Sequence, residues 1–316
     1  MIWLTWRQQR LEALIGGVIL ALFAALVLKT GLDLHAAYQS TGVAACIARQ
    51  ARDAQCQAIE NAFQNSPFQD LSNLFYWFNF LPLVFGALLA APVALELEQG
   101  THRLAWTQSS TRLRWTAVKL GLLLVAAVLV GLTLTALLSW WHGPLDQVRP
   151  RLEAQAFDFE GLVPIAYTVF AVTLGLAVGT VLRRAIPAMG LTLTVFVALR
   201  LWLEGMRKHY VPPIAATFPA GTIQTHLSAL DWVVDAGWKD HLGRVIDDAT
   251  VWRLCTAVHG QGLDFACIQR QGIVRYAVYQ PADRFWAFQG IESAIFLGLA
   301  TSLVAFTMWW MRYRVT

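Results

Sequence analysis

Six stretches of this chain stay apolar for about the 20 residues that a helix needs to cross the hydrocarbon of a bilayer. They are Leu11–Leu28, Leu74–Leu95, Trp115–Leu138, Leu162–Leu182, Ile186–Leu203 and Ile291–Met311. The charge balance agrees with a membrane setting. Only 14% of the residues are charged, against about 25% in an average soluble protein. A water-exposed surface for 316 residues would need far more Lys, Arg, Asp and Glu. The expected fold class is therefore an all-α polytopic membrane protein with six transmembrane helices. The fifth run is the least regular, because Arg200 lies near its end.

The first run is too long for the ~7–15-residue core of a signal peptide, and no A-x-A-like site follows it within Lys29–Leu34. It is expected to stay as the first helix. Orientation comes from the short loops. Arg7 and Arg10, then His102, Arg103, Arg112, Arg114 and Lys119, then Arg183 and Arg184, then Arg312 and Arg314 all fall on one side of six spans. The positive-inside rule makes that side, and both termini, cytoplasmic. The formal net charge of +4 thus reflects topology, and a nucleic-acid partner is not expected. Aromatic clusters Phe75–Phe78, Trp140–Trp141 and Phe285–Phe288 mark the outer interface.

These boundaries divide the chain into an amphipathic N-terminal segment and first helix (1–30), and an extracellular loop (31–73). Helices two to five follow (74–204), with a cytoplasmic segment at 96–114. A second extracellular segment (205–290) and the sixth helix with its tail (291–316) complete the chain. The loop 31–73 is polar and expected to be helical. The 205–290 segment is expected to form an ordered cap, and Ile273–Tyr279 has β-character by composition.

The four cysteines fall in the two outer segments: Cys46 and Cys56 in the first, Cys255 and Cys267 in the second. The two local pairings are the simplest of three connectivities, and an oxidising side of the membrane would preserve them. Free thiols or zinc ligands are the alternative, although no C-x-x-C spacing supports metal. The seven histidines show no pair at i+3 or i+4, so no helical metal site is expected. No G-x-x-x-x-G-K-[ST], H-E-x-x-H or G-x-S-x-G occurs. The chain is not expected to be an enzyme or to hold a nucleotide or metal by itself.

One cytoplasmic segment has an unusual pattern. Glu96-Leu97-Glu98-Gln99-Gly100-Thr101-His102-Arg103-Leu104-Ala105-Trp106-Thr107-Gln108-Ser109 begins where the second helix leaves the membrane. Gly100 breaks that helix, Thr101 can cap a short amphipathic one, and the acidic pair could grip a cationic partner surface. The whole stretch resembles the connection between helices two and three of ABC-2-type transporter permeases, in the version common in actinobacteria. The similarity extends to Met1–Arg10 and to Tyr279-Gln280-Pro281-Ala282-Asp283-Arg284-Phe285-Trp286 before the last helix. The resemblance implies a permease subunit of an ATP-driven exporter that forms the substrate pathway as a dimer, most simply a homodimer. It implies a separate cytoplasmic ATP-binding subunit, which would carry ATP and Mg²⁺. It makes Glu96, Glu98, Gly100, Thr101 and Arg103 the ATPase-coupling residues, and Met1–Arg10 an amphipathic connecting helix in the inner interface, among membrane lipid. Helices two and five would supply most of the cavity wall.

Charge near the membrane supplies a second set. Arg200 and Glu204 are spaced to pair along helix five, and Glu292 begins helix six. They are expected either at an outer gate of the pathway or snorkelling at the headgroups. The rival to a transporter is a membrane sensor or anchor with a disulfide-bonded extracellular cap.

Overall fold

The computed structural model describes residues 2–49, 54–65, 77–101, 111–222, 227–256 and 262–314. Helix α1 (Ile2–Ser40) runs without a break from the expected interfacial segment through the first apolar run. Two short helices, α2 (Val43–Ala48) and α3 (Ala54–Gln64), follow it and are joined by the Cys46–Cys56 disulfide. The described residues of the first loop are largely helical, and its disulfide is local, as expected.

Five further helices carry the rest of the bundle and its linker: α4 (Leu81–Glu98), α5 (Arg112–His142), the single turn α6 (Ala154–Phe157), α7 (Val163–Leu182) and α8 (Ala185–Met206). With the last long helix, six helices among the described residues are long and apolar enough to cross a membrane. Several overrun the apolar stretches seen in the sequence. Polar residues at their ends find partners inside the fold, so the helices do not stop where hydropathy does.

Helix α7 is the axis of the bundle. It has no charged residue, and α4, α5, α8 and the last helix all pack on it. Its close contact with α4 uses small residues four apart on each side: Gly86, Ala90 and Ala94 face Ala171, Gly175 and Gly179. A Cβ on Gly86 would stand 2.6 Å from that of Ala171, and one on Gly175 would stand 2.8 Å from that of Ala90. Small residues at this spacing let two helices approach closely where no hydrophobic effect drives them together. The buried hydroxyls of Thr168, Thr173 and Thr180 donate to carbonyls of their own helix, so they carry no unmet polarity. Helix α1 joins this body through α5, where Trp141 donates to Thr30 at 3.1 Å and Trp140 covers Gly31.

The 205–290 region corrects the all-α expectation. Strands β1 (Ile214–Pro219), β2 (Trp232–Lys239), β3 (Val245–Ile246) and β4 (Val274–Gln280) form an antiparallel sheet in the order β1-β4-β2-β3. Only β4 was legible beforehand. Strand β1 ends in Pro219, β2 contains Asp235 and Gly237, and β3 has only two residues, so their composition argues against strands until a neighbour is present to pair with. Helices α9 (Asp248–Leu254) and α10 (Phe265–Arg270) pack on the sheet around Trp238, Val251 and Ile268. The Cys255–Cys267 disulfide ties their ends.

Chain then passes from β4 into α11 (Phe285–Tyr313). The Gln280–Arg284 motif clamps this junction. Gln280 donates to the Val211 carbonyl at 2.7 Å, Arg284 to the Pro212 carbonyl at 2.8 Å, and Asp231 accepts from the Ala282 amide at 3.1 Å. The sheet is therefore anchored to the ends of both α8 and α11.

Candidate functional site

At the sheet end of the bundle, α8 carries Arg200, and Arg207, two turns later, caps its C-terminus. Both turn inward. Arg207 donates to Asp158 at 2.6 Å and to Glu292 of α11 at 3.0 Å. Arg200 lies 2.8 Å from the second oxygen of Asp158 and donates to the Asn79 carbonyl at 2.7 Å. Tyr167 of α7 donates to Asp158 at 3.1 Å and also bonds Glu292. Two cations and two anions thus meet on residues from α8, α11 and the α6–α7 linker. A charge this deep is tolerated when it is paired and hydrogen-bonded. Aromatic faces complete the shell: the guanidinium of Arg207 lies 4.0 Å from the Phe157 ring and that of Arg200 lies 4.8 Å from the Tyr167 ring.

The linker that delivers Asp158 is fixed by Gln289. Its side-chain oxygen accepts from the amides of Leu162 and Val163 at 3.0 and 3.1 Å, and its amide group donates to the Phe157 carbonyl at 2.9 Å. Gly161 sits beside it at φ 65°, where a Cβ would stand 2.7 Å from that oxygen. Both reasons require glycine. Burial would raise the Asp158 carboxyl, but Arg207 and Arg200 hold it below its ordinary range.

Arg200 and Glu292 therefore belong to one buried, ion-paired cluster. Their residues are 3% and 0% exposed. The ion pair of Arg200 is with Asp158; Glu204, one turn along, is half-buried. Arg207, Asp158 and Tyr167 were not anticipated. The spacing of Arg200 and Arg207, two helical turns, was the available signal, but hydropathy ended the fifth run at Leu203. Beside the cluster, Arg151 pairs with Glu160 at 2.6 Å and lies over the Phe285 ring at 3.8 Å. Burial and the nearby Glu160 charge push the Asp146 carboxyl up to about 9.

At the opposite end, Glu96 forms a part-buried ion pair with Lys119 of α5, and Lys119 sits 4.6 Å from the Trp115 ring. Glu98 accepts from the Ala185 amide, at the start of α8, at 2.8 Å. That amide is exposed to capping because Arg183, at φ 51°, ends α7 in the left-handed conformation and α8 begins two residues later. Gly100 has φ 71°, and Thr101 donates back to the Glu96 carbonyl at 3.4 Å. The two carboxylates thus tie the end of α4 to two neighbouring helices, α5 and α8. Arg103 and the expected short helix lie outside the described residues.

The family model described as ABC-2 membrane transporter related matches residues 17–207. The chain belongs to that family. The match holds the first five spanning helices, the Glu96–Thr101 segment and both Arg200 and Arg207, and it stops before the sheet and Glu292. Neither the curated proteins nor the solved structures contain a match to the chain. This permease is a multi-pass protein of the cell membrane, and permeases of its family are membrane components that are not themselves catalytic.

Proposed function

We propose that this permease is the membrane-spanning subunit of an ATP-driven ABC exporter, working as a dimer with separate cytoplasmic ATP-binding subunits that hold ATP and Mg²⁺. The observation that carries this is the way the Glu96–Thr101 segment is tied. Glu96 holds α5 and Glu98 holds the start of α8, so a push on the end of α4 reaches three helices at once. A partner that moves this segment would move the bundle. Basic short loops favour placing this end in the cytoplasm, and the two disulfides favour placing the sheet end outside. Helix α8 exposes Ile186, Leu193, Leu201 and Trp202 along one apolar surface. That surface is suited to a second permease subunit, with α8 and α4 lining a pathway for an apolar or amphipathic substrate. The Arg200–Asp158–Arg207–Glu292 cluster would then be the outer gate.

The test is purification of the tagged chain in mild detergent, with an ATPase assay on what co-purifies. A stoichiometric ATP-binding protein is expected. Glu98→Lys should leave membrane insertion intact and uncouple hydrolysis from transport, because it puts a cation against the α8 amide. Transport at the normal rate by that variant would refute the coupling role. Purification without any ATPase would favour the sensor or anchor with a disulfide-bonded cap.

A further inference from the structure

The α5–α7 linker brings together three side chains whose chemistry the proposed transport cycle does not use. His142 is the last residue of α5, Asp146 lies four residues on in a short 3₁₀ turn, and Glu160 follows α6. One ligand atom from each lies within 4.8 Å of the other two. His142 and Glu160 are buried, at 2% and 1% exposure. Two atoms of the group, Nε2 of His142 and Oε1 of Glu160, are buried with no hydrogen-bond partner. Nearly all such atoms in folded proteins are satisfied, so a pair of them in one cluster points to a missing partner.

The cluster is also shaped and oriented. The imidazole is stacked on Phe159 with ring centres 5.7 Å apart and meets the edge of Trp141 at 5.0 Å, which fixes its plane. A cavity of about 20 Å³, lined by His142, Asp146, Arg149 and Glu153, adjoins it. That is room for one small ion or water, which needs roughly 10–15 Å³. Nearby cations do not fill the place. Arg151 binds Oε2 of Glu160, at 2.6 and 2.9 Å, and lies 3.6 Å from Asp146, but it does not reach Oε1 of Glu160 or Nε2 of His142. Arg149, which also lines the cavity, donates to the Gln64 carbonyl.

We propose that His142, Asp146 and Glu160 bind one divalent first-row transition metal ion, of the Zn²⁺ or Mn²⁺ kind, at the sheet end of the bundle. One imidazole with two carboxylates suits such ions, whereas Mg²⁺ and Ca²⁺ favour all-oxygen sets. Bonds of about 2.0–2.1 Å to zinc place tetrahedral ligand atoms about 3.3–3.5 Å apart, so a rotamer shift of the half-buried Asp146 closes the site. The ion would staple the end of α5 to the start of α7, two residues from Asp158.

The experiment uses the full-length chain with a tag free of histidine, stripped by chelator and reloaded with Zn²⁺ or Co²⁺ alone. Bound metal is measured by elemental analysis, affinity by competition with a chromogenic chelator, and coordination by the visible Co²⁺ spectrum. Wild type is expected to hold one equivalent, to unfold at higher temperature when loaded, and to give a Co²⁺ spectrum. Asp146→Asn, on the least buried of the three, should keep the fold and lose at least tenfold in affinity. His142→Gln should change or abolish the Co²⁺ spectrum. No binding by the wild type, or equal affinity in Asp146→Asn and His142→Gln, would overturn the site.

Discussion

Replacing Arg207 with Met tests the buried cluster directly. The four charges sum to zero in the native fold, and the substitution leaves Asp158 and Glu292 with one cation, Arg200, between them. At the 3.0 Å separation of Arg207 and Glu292, Coulomb attraction is about 5.5 kcal/mol at an effective dielectric constant of ~20. Part of that offsets desolvation, so the net loss expected from removing one partner is about 3–5 kcal/mol. The assay is reversible unfolding in SDS, followed by the fluorescence of the 14 tryptophans. The partner substitution sharpens it. Arg207→Met with Glu292→Gln restores neutrality, while Arg200 still pairs with Asp158 and Tyr167 still has an acceptor. The double variant should lose about 1.5–3 kcal/mol less than the sum of the two single losses, within the range of measured couplings between contacting residues. Additive losses, or a cost below about 1 kcal/mol for Arg207→Met, would show that the cluster is solvated and that its charges are screened.

Three further outcomes are expected. Gly175→Val should wedge α4 from α7, costing about 1–3 kcal/mol or more as overpacking, and should lower the unfolding temperature in detergent, while Gly298→Val on α11, with no neighbour within 4 Å, does not. Removing either disulfide should cost about 2.5–3 kcal/mol, since each closes a short loop, and maleimide labelling should require reductant in wild type. Acid should destabilise the fold through Asp158. Its folded carboxyl titrates below the ordinary 3.8, so its contribution is present at neutral pH and is lost as pH falls through the lower folded value. An acid limb unchanged in Asp158→Asn would refute this.

Much of the molecule was legible in sequence because its largest signals are local. A span is about 20 successive residues, and Cys46 and Cys56 are ten apart, so neither needs the rest of the chain to be recognised. The helix-breaking Gly100 and the flanking Glu96 and Glu98 were visible for the same reason. The partners of those carboxylates were not, since Lys119 and the Ala185 amide are 23 and 87 residues away.

By itself, then, the sequence determined a membrane chain with six spans, two local disulfides and an acidic turn after the second span. Water expels apolar runs wherever they occur, and a short loop brings its own cysteines together. Only the tertiary structure decided where charge goes once it is inside. Arg200, which the sequence could place at a gate or at the headgroups, is drawn to Asp158 because the linker fixed by Gln289 and Gly161 puts an anion within 2.8 Å. His142 lost its place among isolated histidines in the same way, when Glu160 folded back against it. In a low-dielectric interior a charge is stable only beside its complement, and which residue supplies that complement is a property of the packed helices.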